Sequence, residues 1–178
     1  SEIYKSSSFS QEHNLSVSGG GEKYNYYASL AYLNQNGLLR HGSDNLLRYN
    51  AAVKFGADLA DWAKFSYSLR YVRQDFSRPT ALSGGLYDSI GRQTWPNLPV
   101  YDENGYYFDE NAENPAMSLA QGGVRDAQTD KTYHQAALVF EPVKNWVTNV
   151  EFNYSINSVD TRQTELPCYN HDVSGNVI

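Results

Sequence analysis

In KFSYSLRYV, residues 64–72, Phe65, Tyr67, Leu69 and Tyr71 take every second position, with Lys64, Ser66, Ser68 and Arg70 between them. A period of two sends successive side chains to opposite faces of a strand, whereas a helix would scatter them around its axis. The pattern recurs. Tyr24, Tyr26, Ala28, Leu30 and Tyr32 share one face of a segment near 24–33, and Leu47, Tyr49, Ala51, Val53 and Phe55 one face of 47–57. Val150, Phe152, Tyr154 and Ile156 alternate near 149–157, and His13, Leu15 and Val17 near 13–18. His134, Ala136, Leu138 and Phe140 do so less cleanly in 132–141. Together these segments predict an all-β chain of about six strands.

The connections indicate the arrangement. GGGEK, DLADW and PVKNW are short, whereas 34–45 and 73–131 are long, and short and long alternate along the chain. All tight turns then lie at one end of an antiparallel meander and all long loops at the other. An uninterrupted 73–131 loop is out of place in a compact soluble domain. It is expected in an outer-membrane barrel, with short periplasmic turns and long extracellular loops. The alternating faces suit a wall with lipid outside and a wet lumen inside. Tyr26, Leu30, Tyr49, Val53, Phe55, Phe65, Leu69, Phe152 and Tyr154 would face lipid. Trp62 and Trp146 each follow a short turn. That position suits a membrane interface and equally the end of a soluble sandwich core.

Composition narrows the function. Fifteen Tyr, seven Phe and three Trp accompany a single Met, and Tyr and Trp favour surfaces with one apolar and one wet side. A net charge of -6 argues against nucleic-acid binding; Arg70, Arg73 and Arg78 form only a loose basic cluster. Cys168 is the sole cysteine, so no internal disulfide forms. No apolar run approaches the roughly 18 residues of a membrane helix, whereas a spanning strand needs only about 9–11. SEIYKSSSFS lacks the apolar segment of a signal peptide.

Chemistry is sparse. Gly19-Gly20-Gly21 lacks the Gly-Lys-Ser/Thr ending of a phosphate loop. It reads as a tight turn in which glycine supplies positive φ. In VYDENG, Val100 stands two before Asp102 and no suitably placed Glu follows, unlike a calcium loop. Asp102, Glu103, Asp109 and Glu110 are either an improvised calcium site or a solvated acidic loop. His13, His41, His134 and His171 lack metal-ligand spacing, and no nucleophile elbow occurs. The reading is of no enzyme, no metal and no cofactor. The long loop has order of its own. Asn114, Pro115 and Gly122 cap, start and stop a short helix, and Asn104-Gly105 marks a hairpin.

HNLSVSGGGEKYNYYASLAYLNQNGLL resembles the opening barrel strands of the SusC-like TonB-dependent outer-membrane transporters of Bacteroidetes. LLRYNAAVKFGADLADWAKFSYSLRY resembles their next hairpin, and PNLPVYDENGYYF and NPAMSL parts of their large early extracellular loop. The resemblance runs from His13 to about Ile156. It implies part of the wall of a plugged 22-stranded barrel, residues 1–178 being a partial barrel with signal peptide and plug absent. It also implies import of glycans, oligosaccharides or peptides, energy from TonB, and a SusD-like surface lipoprotein as partner. In the long loop, Tyr87, Trp95, Tyr101, Tyr106 and Tyr107 are the candidates for ligand contact, since flat rings stack on pyranose faces; Trp95 is foremost. Alternatively those rings, with Phe108, form the loop's own small core or pack on the lipoprotein. The competing reading of the whole chain is a secreted soluble β-sandwich that binds carbohydrate through aromatic loops. It would bury the Tyr49, Val53, Phe55, Phe65 and Leu69 faces under a second sheet.

Overall fold

The computed structural model describes residues 3–93, 99–108, 114–172 and 174–177. Six strands form one antiparallel sheet in chain order: β1 Ser10–Gly20, β2 Tyr24–Asn36, β3 Asn45–Ala60, β4 Ala63–Pro79, β5 Val124–Val143 and β6 Trp146–Gln163. Two short helices, α1 Gly84–Asp88 and α2 Pro115–Gln121, interrupt the meander between β4 and β5. A single π-helical turn, Ser89–Gln93, follows α1.

The register carries the alternation of each strand across the whole sheet. On one face Leu15, Leu30, Ala51, Tyr71, Thr132 and Ile156 stand in one row. The next row holds Val17, Ala28, Val53, Leu69, His134 and Tyr154. His134, an imidazole within this band, sits 2.9 Å from the Tyr67 hydroxyl through Nδ1. The opposite face is polar, as in the row Ser16, Ser29, Ala52, Arg70, Tyr133 and Ser155. A slip of one residue would exchange the two faces.

The strands outrun their sequence signal. β4 continues to Pro79 and β5 starts at Val124, so the loop expected over 73–131 is the shorter segment 80–123. β6 likewise runs from Trp146 to Gln163, where 149–157 was expected. The added length has polar residues on both faces, so the ladder persists where the hydrophobic period has vanished. There Arg73 binds Asp75 at 3.2 Å and Gln128 at 2.8 Å, and Tyr71 donates to Asp130 at 2.6 Å. Ser77 also donates to Asp126.

Turns and loops segregate as expected. Residues 21–23, 61–62 and 144–145 close the hairpins at one end, while 37–44 and 80–123 lie at the other. The triple glycine works differently from the expectation. None of Gly19, Gly20 and Gly21 has positive φ. Gly19 and Gly20 are strand residues, and what they provide is room: a Cβ would stand 2.5 Å from the Tyr26 hydroxyl oxygen at Gly19 and 2.5 Å from the Tyr24 carbonyl oxygen at Gly20.

The buried apolar residues sit almost entirely at the loop end. Leu39, Leu86 and Leu119 form a cluster, packed by Ile3, Tyr4, Leu82 and Ile90, and Ala116 and Met117 of α2 are buried beside it. The sheet contributes only the two ends of β4 to this buried set, Ala63 at the tight-turn end and Pro79 at the loop end. No second sheet covers either face among the described residues. Tyr49, Val53 and Phe55 are 41%, 44% and 41% exposed, and Phe152 is 62% exposed, where a sandwich would bury such a face.

Candidate functional site

The loop end is a folded cap whose parts are fixed by a few polar side chains. Asn114 is the chief one. Its Oδ1 accepts from the N–H groups of Ala116 and Met117 at 3.1 and 3.4 Å, capping α2. Its Nδ2 donates to the carbonyls of Val100 and Phe108 at 3.0 and 2.8 Å. One residue therefore ties the helix to both ends of the YDENGYYF hairpin. Pro115 opens the helix and Gly122 closes it, as the sequence predicts.

That hairpin has a twin. In Asp102–Tyr106 the carboxylate Oδ1 accepts from the N–H groups of Asn104 and Tyr106, and Gly105 has φ 85°. After β6, Asp172 accepts in the same way from Ser174 and Asn176, and Gly175 has φ 84°. Both glycines occupy the left-handed region that a Cβ disfavours. The Asn176 amide, with backbone N–H groups of the turn, holds the Asp172 carboxyl below the usual carboxylate range. The two hairpins meet where Tyr106 stacks on His171, centroids 4.8 Å apart at 15°. The second hairpin was missed in the sequence, although an Asp followed at the third position by Gly signals it as it does the first.

The candidate rings separate. Tyr101 and Tyr107 pack at 5.0 Å, each 6.4 Å from His41 of the 37–44 loop. Burial, then contact with Tyr101, pushes the Tyr107 phenol up to about 12. Tyr106 is committed to His171. Tyr87, 53% exposed on α1, lines a recess of about 610 Å³ with Tyr4, Leu39, Asp44 and Leu82. Trp95, with Asp109 and Glu110 of the acidic loop, lies outside the described residues. Asp102 uses its Oδ1 within its own turn. No group of three or more metal-binding side chains occurs among the described residues.

Along the apolar face, Tyr26, Leu30, Tyr49, Val53, Phe55, Phe152 and Tyr154 are exposed and Phe65 and Leu69 half-buried. Trp62 lies in the 61–62 turn and Trp146 opens β6, both at the tight-turn end and exposed. From Ala63 to Arg73, β4 rises ten residues, about 33 Å along the strand. Tilted by about 40°, that spans about 25 Å, the height of a barrel's apolar band. Tyr32 and Tyr49, 5.3 Å apart, stand in the same cross-strand row as Arg73. No described helix is long and apolar enough to cross a membrane.

No protein-family model matches the chain. Two curated proteins of Formosa agariphila are similar to it. TonB-dependent receptor P39 is 24% identical over 157 residues, 85% of this chain and 15% of the relative. TonB-dependent receptor P26 is 24% identical over 144 residues, 78% of this chain and 14% of the relative. The chain thus spans about a seventh of the length of these relatives. At 24% identity the chain is similar to a part of each of these two TonB-dependent receptors, and its own fold is a single six-stranded antiparallel meander.

Proposed function

We propose that this chain is a stretch of the barrel wall of a TonB-dependent outer-membrane importer of the SusC-like kind. One observation carries the reading: a single sheet leaves an apolar face open while its tight turns gather at one end and a folded cap at the other. A soluble protein would cover that face; a bilayer covers it with lipid. Tyr26, Leu30, Tyr49, Val53, Phe55, Phe65, Leu69, Phe152 and Tyr154 face the acyl chains, and Trp62 and Trp146 the periplasmic interface. The polar face lines the lumen. The cap forms part of the extracellular vestibule and meets a SusD-like lipoprotein, with Tyr87 and Trp95 the aromatics offered to substrate. TonB acts on the receptor outside this stretch. The substrate class is a glycan or its oligosaccharides, peptides being the second choice.

Cysteine labelling of the full-length receptor in intact outer membranes tests this. Phe55→Cys and Phe152→Cys should react with a lipid-dissolved maleimide, and Ser66→Cys and Ser155→Cys with a water-soluble one. Equal access of the water-soluble reagent to all four would end the barrel-wall reading.

A further inference from the structure

The chain carries a net charge of -6, yet the middle of its polar face is purely cationic. Three adjacent cross-strand rows run from Asn14 to Asn157, from Ser16 to Ser155 and from Ser18 to Asn153. They hold Lys131, Arg70 and Lys54, one on each of β5, β4 and β3, and no Asp or Glu. The three step diagonally, one row per strand, at about 7–8 Å between neighbours. None makes an ion pair or hydrogen bond with another described residue. The nearest carboxylates on this face, Glu12 and Glu151, are on the two edge strands in the flanking rows. Arg48, one row above Lys131, adds a further cation whose Nε is shielded from solvent without a partner.

Like charges gathered without counterions cost free energy, which an anion would recover. Around them the face offers amides, hydroxyls and two accessible phenols, Tyr27 and Tyr133, 37% and 45% exposed. A recess of about 350 Å³ is lined by Arg70, Tyr133, Gln135, Asn153 and Ser155. Guanidinium pairs with carboxylate or sulfate, amides and hydroxyls bond sugar hydroxyls, and a phenol ring stacks on a pyranose. From this charge complementarity we infer that the lumen wall here binds an anionic oligosaccharide, one bearing uronic-acid carboxylates or sulfate esters. The inference rests on the barrel-wall reading, because it needs this face to be the wet one.

Calorimetric titration of the full-length receptor in detergent, with neutral, uronic-acid and sulfated oligosaccharides of equal length, tests it. One or both charged series should bind more tightly than the neutral series. Their affinity should fall with added salt, and by about tenfold or more in Arg70→Gln or Lys131→Gln, the loss of one charged hydrogen bond. Lys23→Gln, in the 21–23 turn, should change it less than about twofold, since it is outside the strip. Equal binding of neutral and charged sugars, no binding of either charged series, or unchanged affinity in the two variants would overturn the inference. So would a lowered thermal midpoint in Arg70→Gln/Lys131→Gln at unchanged affinity, since the strip would then neutralise an acidic part of the receptor itself. The labelling of Ser155→Cys separates the failures. If it is wet and the titration fails, only the anion is wrong; if it is not, the wall reading falls first.

Discussion

The sheet and the cap are stabilised by different means. The cap buries Leu39, Leu86, Leu119, Ala116 and Met117 and fastens its segments through Asn114. It has the core of a small soluble unit. The sheet has continuous ladders and exposed side chains on both faces, with buried apolar residues only at the two ends of β4, Ala63 and Pro79. A sheet of this kind depends on its surroundings to cover its apolar face, whereas the cap supplies its own cover. The contrast fits a wall that stands in lipid and ends in a vestibule that stands in water.

The largest expected effect probes the cap. Leu119 is 1% exposed, so Leu119→Ala should cost about 2–5 kcal/mol locally. Hydrogen exchange should rise across 80–123 while the amides of β2 and β3 stay protected. Leu30→Ala, at a position 61% exposed on the apolar face, should cost less than about 1 kcal/mol, because no packed cavity forms. Equal losses at the two sites would erase the distinction between the regions.

The next effect probes the sheet. Val53 sits in the middle row of the apolar band, between Ala28 and Leu69. In a bilayer, Val53→Arg should destabilise the folded receptor by about 2–4 kcal/mol, measured by urea titration in liposomes. On a water-facing sheet the same change would fall within about 0.5 kcal/mol.

Asn114→Ala comes third. It removes the α2 cap and the amide donor to the Phe108 carbonyl and to the Val100 carbonyl, the latter still accepting from the Phe108 N–H. The cost should be about 1–2 kcal/mol. The backbone amides of α2 should then exchange with solvent faster than in the unaltered protein.

The meander, its two faces and its segregated turns were legible because a period of two survives wherever one face is apolar. The limits of the strands were not. Past Arg73 and before Lys131 polar residues stand on both faces, and the Arg73, Asp75, Gln128 and Asp130 contacts continue the ladder where the apolar alternation of one face has stopped. The α2 caps were legible because Asn, Pro and Gly act locally. The stacking of Tyr106 on His171 was not, since it joins hairpins on either side of β5 and β6 and no local rule connects them. Nor could the pattern show that the triple glycine serves the bulk of Tyr26 and the nearby Tyr24 carbonyl rather than a positive φ.

The smallest effect separates the rings of the cap from the rings of the sheet. Tyr107 is half-buried against Tyr101 and His41, and its phenol is raised from the ordinary 10 to about 12. A raised folded-state pKa means that folding favours the neutral phenol. Its contribution to stability is complete below the unfolded value near 10 and is lost as pH rises through about 12. Phenolate absorbance titrated from pH 9 to about 12.5 should therefore lose its latest-ionising tyrosine in Tyr107→Phe. The Tyr107→Phe cap should also open at an alkaline pH less sharply defined than in the parent. If the late component survives the substitution, the cap does not enclose Tyr107, and the Tyr101–Tyr107 pair belongs instead to an open surface where a sugar ring could reach it.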